Sequence, residues 1–446
     1  MQQVELRTGA WYNDRTVRLT FPDSWDIAAY WPDTPPPLTE DEIAQRIAAP
    51  VGQPPLSELA RGKNSPVIIV DDLSRPTPVF KVMPHLLKQF DAAGVKTSDI
   101  RVLVAAGTHG KQDPRALVNK IGREVFESCR VIEHNDRKNV KYVGATSFGT
   151  PVYVNAELVD ADLIVGVGGI YPQHTTGFGG GGKLALGVMG RRTIKHLHFG
   201  HRPVGGNYNI ENDFRRNVTE MALMVGLRSI FTIHPGANLE IVNLAAGDFT
   251  SYYAEAARFS REVYDAPAPD DADVVIANAY PSDVSYTFMR KANKPILCAA
   301  AGATKIMVAS NHGGLGHHGL YPQGKSPRYL EYKELFDRVT IMKPTTIVRK
   351  LVKRLTPGRK QTVSAAETPQ APAPMAQEKL YIYTPPGGST DLPAMGGVEV
   401  LYDWDKALQM ITEQHKEKAP IRVRIYPCAS LQCIGAREVT TAAHME

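Results

Sequence analysis

The chain has 446 residues, of which 43% are hydrophobic and 22% charged, and its formal net charge at pH 7 is +5. This length predicts two or three globular domains, and the modest charge without a basic, aromatic-rich face argues against a nucleic-acid partner. The longest apolar runs, such as residues 67–70 and 102–106, are far shorter than the ~20 residues that cross a bilayer, so no membrane partner is expected.

The beginning of the chain and its cysteines predict where the protein resides. Residues 1–6 lack the basic start and continuous apolar stretch of a secretory signal. The four cysteines are too scattered for a disulfide framework and form no paired C-x-x-C metal site; they are Cys129, Cys298, Cys428 and Cys433. We therefore expect a cytoplasmic protein.

Short apolar runs alternate with helix-like stretches along most of the chain. The predicted strands lie at residues 66–72, 99–107 and 161–167, and then at 272–278, 304–309, 339–342, 379–383 and 421–426. Continuous apolar strands between helices, such as those at 79–93 and 252–262, indicate mainly parallel sheets covered on both faces. The fold class is therefore α/β.

The pattern suggests two domains with the active site in the cleft between them. We predict an N-terminal cofactor-binding and catalytic domain over residues 1–267 and a C-terminal α/β domain over 268–446. Residues 356–378 are rich in proline, alanine and polar residues without periodicity, which predicts a flexible surface loop.

Polar side chains follow three of the predicted strands. Asp72 and Arg75 follow the first, His109 the second and His174 the third, and ligands of parallel sheets gather at this edge. Arginine suits bidentate binding of a carboxylate or phosphate. An internal Asp72–Arg75 ion pair and a merely hydrogen-bonding His109 are the structural alternatives.

A glycine-rich loop ending in a lysine is the most distinctive motif. It runs Gly177-Phe178-Gly179-Gly180-Gly181-Gly182-Lys183; such a backbone can approach a phosphate closely, and a deprotonated lysine is a nucleophile. The motif matches G-x-x-x-x-G-K, but Leu184 replaces the hydroxyl residue that binds magnesium, which disfavours nucleotide hydrolysis. A purely structural turn is the other alternative.

Two further groups of residues complete the candidate sites. His196, His198 and His201 include one pair at helical spacing, and they suit a single ligand to a metal held mainly by another group. Tyr286 to Lys291 form a predicted turn and helix whose Arg290 could reach an anion or lie on a solvated surface. The glycine- and histidine-rich residues 311–318 have no assigned role.

Taken in order, these motifs resemble the lactate racemase family, and the likeness runs through nearly the whole chain. It rests on Asp72-x-Ser74-Arg75-Pro-Thr-Pro, Gly107-Thr108-His109, His174 with the glycine loop to Lys183, and the later His-Phe-Gly. The resemblance implies a racemase or epimerase of a small 2-hydroxycarboxylic acid. It also implies a nickel-pincer nucleotide, the nickel pyridinium-3,5-bisthiocarboxylic acid mononucleotide, which separate cofactor-biosynthesis enzymes make.

By resemblance, each candidate residue takes a role. Lys183 would carry the cofactor covalently as a thioamide and His198 would ligate nickel, although His196 and His201 stay open as ligands. The residues expected to seat the nucleotide are Asp72, Gly179, Gly180, Gly181 and Gly182. His109 and His174 would alternate as general base and acid while hydride leaves and returns through the cofactor.

The residues expected to contact the substrate follow the family motif less closely. Arg75 would bind the substrate carboxylate, with Tyr286 and Arg290 as further substrate contacts. Where lactate racemases carry Tyr-Gln-x-x-Lys, this chain has Tyr286-Thr287-Phe288-Met289-Arg290, which favours a larger or more acidic 2-hydroxyacid than lactate. A non-catalytic nucleotide- or phosphate-binding protein is the alternative function, followed by a P-loop-like NTPase.

Overall fold

The computed structural model describes residues 1–200, 208–321, 333 and 379–435. His201, the predicted strand at 339–342 and the predicted loop at 356–378 lie outside these residues. Element labels below count the described elements only.

Strands and helices alternate along the described chain. The strands are β1 (Gln2–Thr8), β2 (Arg15–Phe21), β3 (Asp26–Ala29), β4 (Pro66–Asp71), β5 (Arg101–Ala105), β6 (Arg130–Glu133), β7 (Val140–Ala145), β8 (Pro151–Asn155), β9 (Leu163–Gly169), β10 (Pro172–Gln173), β11 (Gly177–Phe178), β12 (Ser229–Pro235), β13 (Ile241–Asp248), β14 (Asp265–Ala266), β15 (Val274–Asn278), β16 (Thr304–Val308), β17 (Leu380–Tyr383), β18 (Val398–Leu401), β19 (Arg422–Tyr426) and β20 (Cys433–Ile434). The α-helices are α1 (Glu40–Ala48), α2 (Leu56–Leu59), α3 (Met83–Ala92), α4 (Pro114–Ile121), α5 (Arg123–Ser128), α6 (Ala156–Val159), α7 (Arg191–Gly200), α8 (Asp213–Met224), α9 (Phe249–Val263), α10 (Tyr286–Met289), α11 (Lys294–Cys298) and α12 (Trp404–Gln414). Short 3₁₀ helices span Val79–Lys81, Thr97–Asp99, Gly181–Val188 and Arg290–Ala292.

The first large sheet has six strands in the order β13-β12-β9-β4-β5-β6. Its strands pair in parallel except for β13, which is antiparallel to β12. The predicted strands at 66–72, 99–107 and 161–167 are confirmed as β4, β5 and β9. Their carboxyl ends therefore share one edge of this sheet.

The second large sheet is parallel throughout, in the order β18-β17-β16-β15-β19-β3. It confirms four of the predicted strands, which are β15, β16, β17 and β19. Strand β3, from residues 26–29, pairs with β19 at its edge, a pairing between segments almost 400 residues apart in sequence that no local pattern indicates. The division near residue 268 stays a prediction, and the structure adds that an N-terminal strand belongs to the C-terminal sheet.

Both sheets are covered on both faces, which explains their continuous apolar strands. In β4, Val67 and Ile69 pack into one hydrophobic cluster while Ile68 and Val70 pack into another. The residues of β15 divide between two further clusters in the same way. Successive side chains of a strand point to opposite faces, so each of these strands fills two cores at once.

In the part of the chain that the structure describes, no helix combines the length and apolar character needed to span a bilayer.

A buried carboxylate joins the beginning of the chain to the second half. Asp283 is 0% exposed, and it accepts hydrogen bonds from Thr8 Oγ1 at 2.9 Å, the Gly9 amide at 2.8 Å and Ser310 Oγ at 2.8 Å. A buried charge needs such partners to offset its lost hydration.

Replacing Asp283 with alanine should therefore lower the free energy of unfolding by roughly 3 kcal/mol, because several buried donors lose their acceptor. Urea unfolding followed by circular dichroism measures this change. Asp23→Ala is the matched control, since the Asp23 side chain is 76% exposed and its loss should matter far less. Equal destabilisation by both variants would contradict the role given to Asp283.

Candidate active site

A cavity of about 470 Å³ lies where loops of the two large sheets meet. Its wall contains six of the residues predicted for the site, which are Arg75, His109, His174, Lys183, His198 and Arg290. They come from positions more than 200 residues apart in sequence. The structure thus gathers half of the twelve predicted site residues in the wall of one cavity.

His109 is held by a buried carboxylate. Its Nδ1 lies 2.6 Å from Oδ2 of Asp72, which is fully buried and also accepts a 2.7 Å hydrogen bond from Ser74 Oγ. The ring meets Phe288 edge-on, with 4.7 Å between centroids. Because Nδ1 donates to the carboxylate, neutral His109 keeps an unprotonated Nε2.

Burial and charge set the protonation of this pair. Burial lowers the pKa of His109, and the opposing effect of Asp72 does not fully restore it. Burial alone would raise the pKa of Asp72, but His109 and Arg75 outweigh it and hold that pKa below its usual range. The favoured state is therefore a neutral imidazole beside an ionised carboxylate.

Asp72 itself does not line the cavity and lies behind His109. Its predicted contact with a nucleotide stays a prediction. The Asp72–Arg75 ion pair of the structural alternative is present, with 3.8 Å between Oδ1 and Nε.

Arg75 is a partly buried cation whose backbone is held by a lysine side chain. Burial would lower its pKa, but Tyr171, Asp72 and Asp71 together raise it, so it keeps its charge. The Lys120 ammonium donates to the carbonyl oxygens of Arg75 at 2.8 Å and Thr77 at 2.9 Å. A fixed guanidinium beside a cavity suits a carboxylate.

The glycine loop places Lys183 between two cavities. Gly179 and Gly180 line a small adjoining cavity of about 30 Å³ together with Arg75 and Lys183, and Lys183 also lines the large one. A buried guanidinium, from Arg215, donates to the Gly180 carbonyl at 3.0 Å. The loop then continues as the 3₁₀ helix Gly181–Val188.

Gly181 and Gly182 line neither cavity and have a packing role instead. A Cβ atom on Gly181 would lie 2.7 Å from the Tyr253 ring, and one on Gly182 would lie 3.0 Å from the Thr219 backbone of α8. The positive φ of Gly181, 54°, also disfavours any side chain. The predicted contact of these two glycines with a nucleotide stays a prediction.

Lys183 has the electrostatic surroundings of a neutral amine. Burial lowers its pKa well below the ordinary lysine value, and the nearby cations Arg75 and Arg215 lower it further. A neutral amine has a free lone pair and is a nucleophile, which an ammonium ion is not.

The two histidines of α7, His196 and His198, have different surroundings. His198 lines the cavity and its Nδ1 donates to the Ile194 carbonyl at 2.8 Å, so its Nε2 lone pair is unprotonated. Burial lowers the pKa of His198 to about 4. His196 instead bonds to Thr150 Oγ1 at 3.0 Å and is not in the cavity wall.

His174 is the exposed member of the site. It follows β10 in the turn before β11, and its side chain lies in the cavity wall with access to solvent.

Across the described residues, no group of three or more histidine, cysteine, aspartate or glutamate side chains could hold a metal. An imidazole with an unprotonated nitrogen, such as that of His198, can serve as a single metal ligand.

Residues of the C-terminal half close the cavity. Thr287, Arg290 and Lys291 line it, and the Lys291 side-chain nitrogen donates to the Ser74 carbonyl. Tyr286, predicted as a substrate contact, is buried in the core of the second sheet and is absent from the cavity wall.

Sequence reasoning missed His318. It lines the cavity, and its ring centroid is 5.2 Å from that of His109. The one available signal was its position in a glycine- and histidine-rich loop after a predicted strand.

The charge of the cavity wall is one-sided. Among the described residues that line it, no aspartate or glutamate is present, whereas Arg75, Arg290 and Lys294 are basic. The amines of Lys183 and Lys291 also line it, and burial lowers the pKa of both. Such a cavity favours anionic ligands of small size.

Sequence comparisons relate the chain to known proteins. Residues 12–204 match the family described as the lactate racemase N-terminal domain. A lactate racemase from Lactiplantibacillus plantarum is 30% identical over 298 residues, which cover 64% of this chain and 69% of that protein. A lactate racemase from Thermoanaerobacterium thermosaccharolyticum is 28% identical over 305 residues, covering 65% and 71%.

Comparisons of structure support the fold. The lactate racemase apoprotein from Thermoanaerobacterium thermosaccharolyticum superposes with a TM-score of 0.67 at 21% identity, covering 97% of this chain and 100% of that one. A protein from Thermotoga maritima superposes with a TM-score of 0.57 at 17% identity, covering 90% and 99%.

Fold, cavity and matched sequences together define an isomerase of the racemase and epimerase class. The chain belongs to the lactate racemase family.

The state of Lys183 can be tested without any cofactor. Cyanate carbamylates only neutral amines, so at pH 7 it should modify Lys183 at least about tenfold faster than an ordinary surface lysine, since each unit of pKa changes the neutral fraction tenfold. Peptide mass spectrometry over a time course measures both rates. Exposed Lys138 is the internal control, and equal rates at the two lysines would contradict a neutral Lys183.

Proposed function

We propose that the chain racemises or epimerises a 2-hydroxycarboxylic acid with a nickel-pincer nucleotide tethered to Lys183. The observation that carries the proposal is the presence of His109, His198, Lys183 and Arg75 in the wall of one 470 Å³ cavity. Each of these side chains has the protonation state that its proposed role needs. Membership of the lactate racemase family supports the same reading.

The residues fit this cofactor. Thioamide formation needs an unprotonated lysine, and burial favours that form of Lys183. Ligation by imidazole needs a free nitrogen lone pair, and the Ile194 carbonyl leaves Nε2 of His198 in that state. Cationic groups around the cavity would offset the phosphate charge of a nucleotide.

When bound, the cofactor supplies a reversible acceptor for the hydrogen that leaves C2 of the substrate as hydride. The chain's own side chains transfer the hydroxyl proton of the substrate and bind its carboxylate. Arg75 binds the carboxylate and so fixes the orientation of C2. The cofactor itself comes from separate biosynthesis enzymes.

His109 accepts the hydroxyl proton of one enantiomer at Nε2. Asp72 keeps Nδ1 protonated and stabilises the imidazolium that forms, which is the role of a carboxylate behind a general base. The product is a planar 2-oxoacid that can take hydride back on either face. His174 performs the same proton transfer for the opposite enantiomer.

The C-terminal wall supports a substrate other than lactate. Thr287 and Arg290 line the cavity, and a guanidinium there favours a larger or more acidic 2-hydroxyacid. Tyr286 is proposed only as support for this wall, because its ring lies in the core.

The proposed attachment of the cofactor to Lys183 gives a direct prediction. Coexpressed with cofactor-biosynthesis enzymes, the chain should gain one covalent adduct and about one nickel per chain, and Lys183→Ala should lose both. Intact-protein mass spectrometry and elemental analysis measure them. Lys138→Ala is the surface control and should load normally. Adduct formation on Lys183→Ala would contradict the tether.

The proposed acid–base roles of His109 and His174 give a further prediction. His109→Gln and His174→Gln should each lower kcat by about 10²- to 10⁴-fold, while His85→Gln, outside the cavity wall, should not. For the enantiomer served by His109, kcat/KM should fall only below the ordinary histidine pKa of about 6.5, because burial lowers the pKa of His109 and protonation removes the base. Chiral chromatography with lactate, malate and 2-hydroxybutyrate measures the rates.

The same experiment separates the alternative functions. Wild-type protein that loads cofactor but interconverts none of these acids would favour the non-catalytic binding protein. Magnesium-dependent nucleotide hydrolysis would favour a P-loop-like enzyme.

A further inference from the structure

A loop of the second half is fastened to the first half beside His109. The Gly319 amide donates to the Thr108 carbonyl at 2.8 Å, and Arg191 donates to the Gly319 carbonyl at 2.6 Å. Arg191 is itself held by Asp136 at 2.8 Å. A Cβ atom on Gly319 would lie 3.1 Å from the Thr108 carbonyl oxygen and 2.6 Å from Arg191 Nη1, so the two segments approach closely here. These contacts fix the backbone next to His318.

The tautomer of His318 is fixed by its own loop. Its Nδ1 accepts hydrogen bonds from the amides of Leu320 and Tyr321, both at 3.2 Å. A nitrogen that accepts two N–H groups carries no proton, so the neutral ring is protonated at Nε2. Neutral His318 therefore has the opposite tautomer from His109 and His198, whose Nδ1 atoms carry the proton and donate.

This tautomer decides what His318 can do in the cavity. Protonated Nε2 is a hydrogen-bond donor and neither a base nor a metal ligand. Burial lowers the pKa of His318, and the neighbouring His109 and His198 lower it further, so the ring stays neutral at physiological pH. Its centroid is 5.2 Å from that of His109 and both rings line the same cavity.

We propose that His318 donates a hydrogen bond from Nε2 to the hydroxyl oxygen of the substrate and stabilises the negative charge that develops there. The inference rests on the proposed function. As the O–H bond breaks, its proton passes to Nε2 of His109 and charge grows on the oxygen. The C2 hydrogen then leaves as hydride to the cofactor, and that electron density forms the carbonyl of the 2-oxoacid. A preorganised donor beside the base lowers the barrier.

Two substitutions separate this role from a structural one. His318→Asn retains an acceptor in place of Nδ1 for the two loop amides, but lacks the donor. His318→Gln retains an amide N–H near the place of Nε2 but leaves the loop amides unpaired. A donor role predicts that asparagine is the worse replacement for turnover, whereas a purely structural role predicts that glutamine is.

The test uses cofactor-loaded enzyme with lactate, malate and 2-hydroxybutyrate. His318→Asn should lower kcat by about 10²-fold, the usual cost of one oxyanion donor, with unchanged nickel content and thermal unfolding. His318→Gln should retain at least tenfold more activity than His318→Asn. His317→Gln, an exposed neighbour outside the cavity wall, should match the wild type. A His318→Asn enzyme within threefold of the wild-type kcat would overturn the inference.

A second readout does not depend on turnover. In cofactor-free protein labelled with ¹⁵N-histidine, His318 should show the Nε2–H tautomer, and the 2-oxoacid of the acid that the loaded enzyme turns over best (pyruvate, oxaloacetate or 2-oxobutyrate) should shift its Nε2 resonance at saturation. A protonated Nδ1, or no shift with any of the three 2-oxoacids, would refute the donor role even if the wild-type enzyme racemised its substrate. Absence of racemisation by the wild type, with the tautomer and shift present, would instead refute the proposed function.

Discussion

The site depends on the hydrogen bond between Asp72 and His109, 2.6 Å long and closed to solvent on the carboxylate side. An isolated buried carboxylate would be protonated or very costly. Ser74, Arg75 and His109 surround it, so Asp72 stays ionised, His109 keeps one tautomer, and Arg75 stays charged next to both. One desolvated anion thus positions both the proposed general base, His109, and the proposed carboxylate-binding group, Arg75.

Burial also gives each remaining polar group a distinct chemical state. The same desolvation that would neutralise any lysine leaves Lys183 nucleophilic, while backbone partners assign opposite tautomers to His198 and His318. A base, a metal ligand and a neutral donor can therefore be built from one residue type. The hydrogen bond at Nδ1 fixes the tautomer of each ring; the partner is the Asp72 carboxylate for His109 and the backbone for His198 and His318.

The sequence was sufficient for most of the sheets and for the residues at their edges. Continuous apolar runs predicted the strands that carry Asp72 and His109, because a two-sided core demands such runs. It could not reveal contacts that depend on distant segments: the pairing of β3 with the second sheet, or the approach of His318 to His109. The burial of Tyr286 in the core was equally hidden, since a motif position does not say whether a ring faces the cavity or the core.

The central claim is that C2 of a 2-hydroxyacid loses and regains the same hydrogen as hydride while histidines exchange only the hydroxyl proton with water. The most direct measurement is proton NMR of the product enantiomer formed by cofactor-loaded enzyme in D₂O. The account predicts inversion with protium retained at C2. Deuterium at C2 in the product would show proton abstraction from carbon and contradict it.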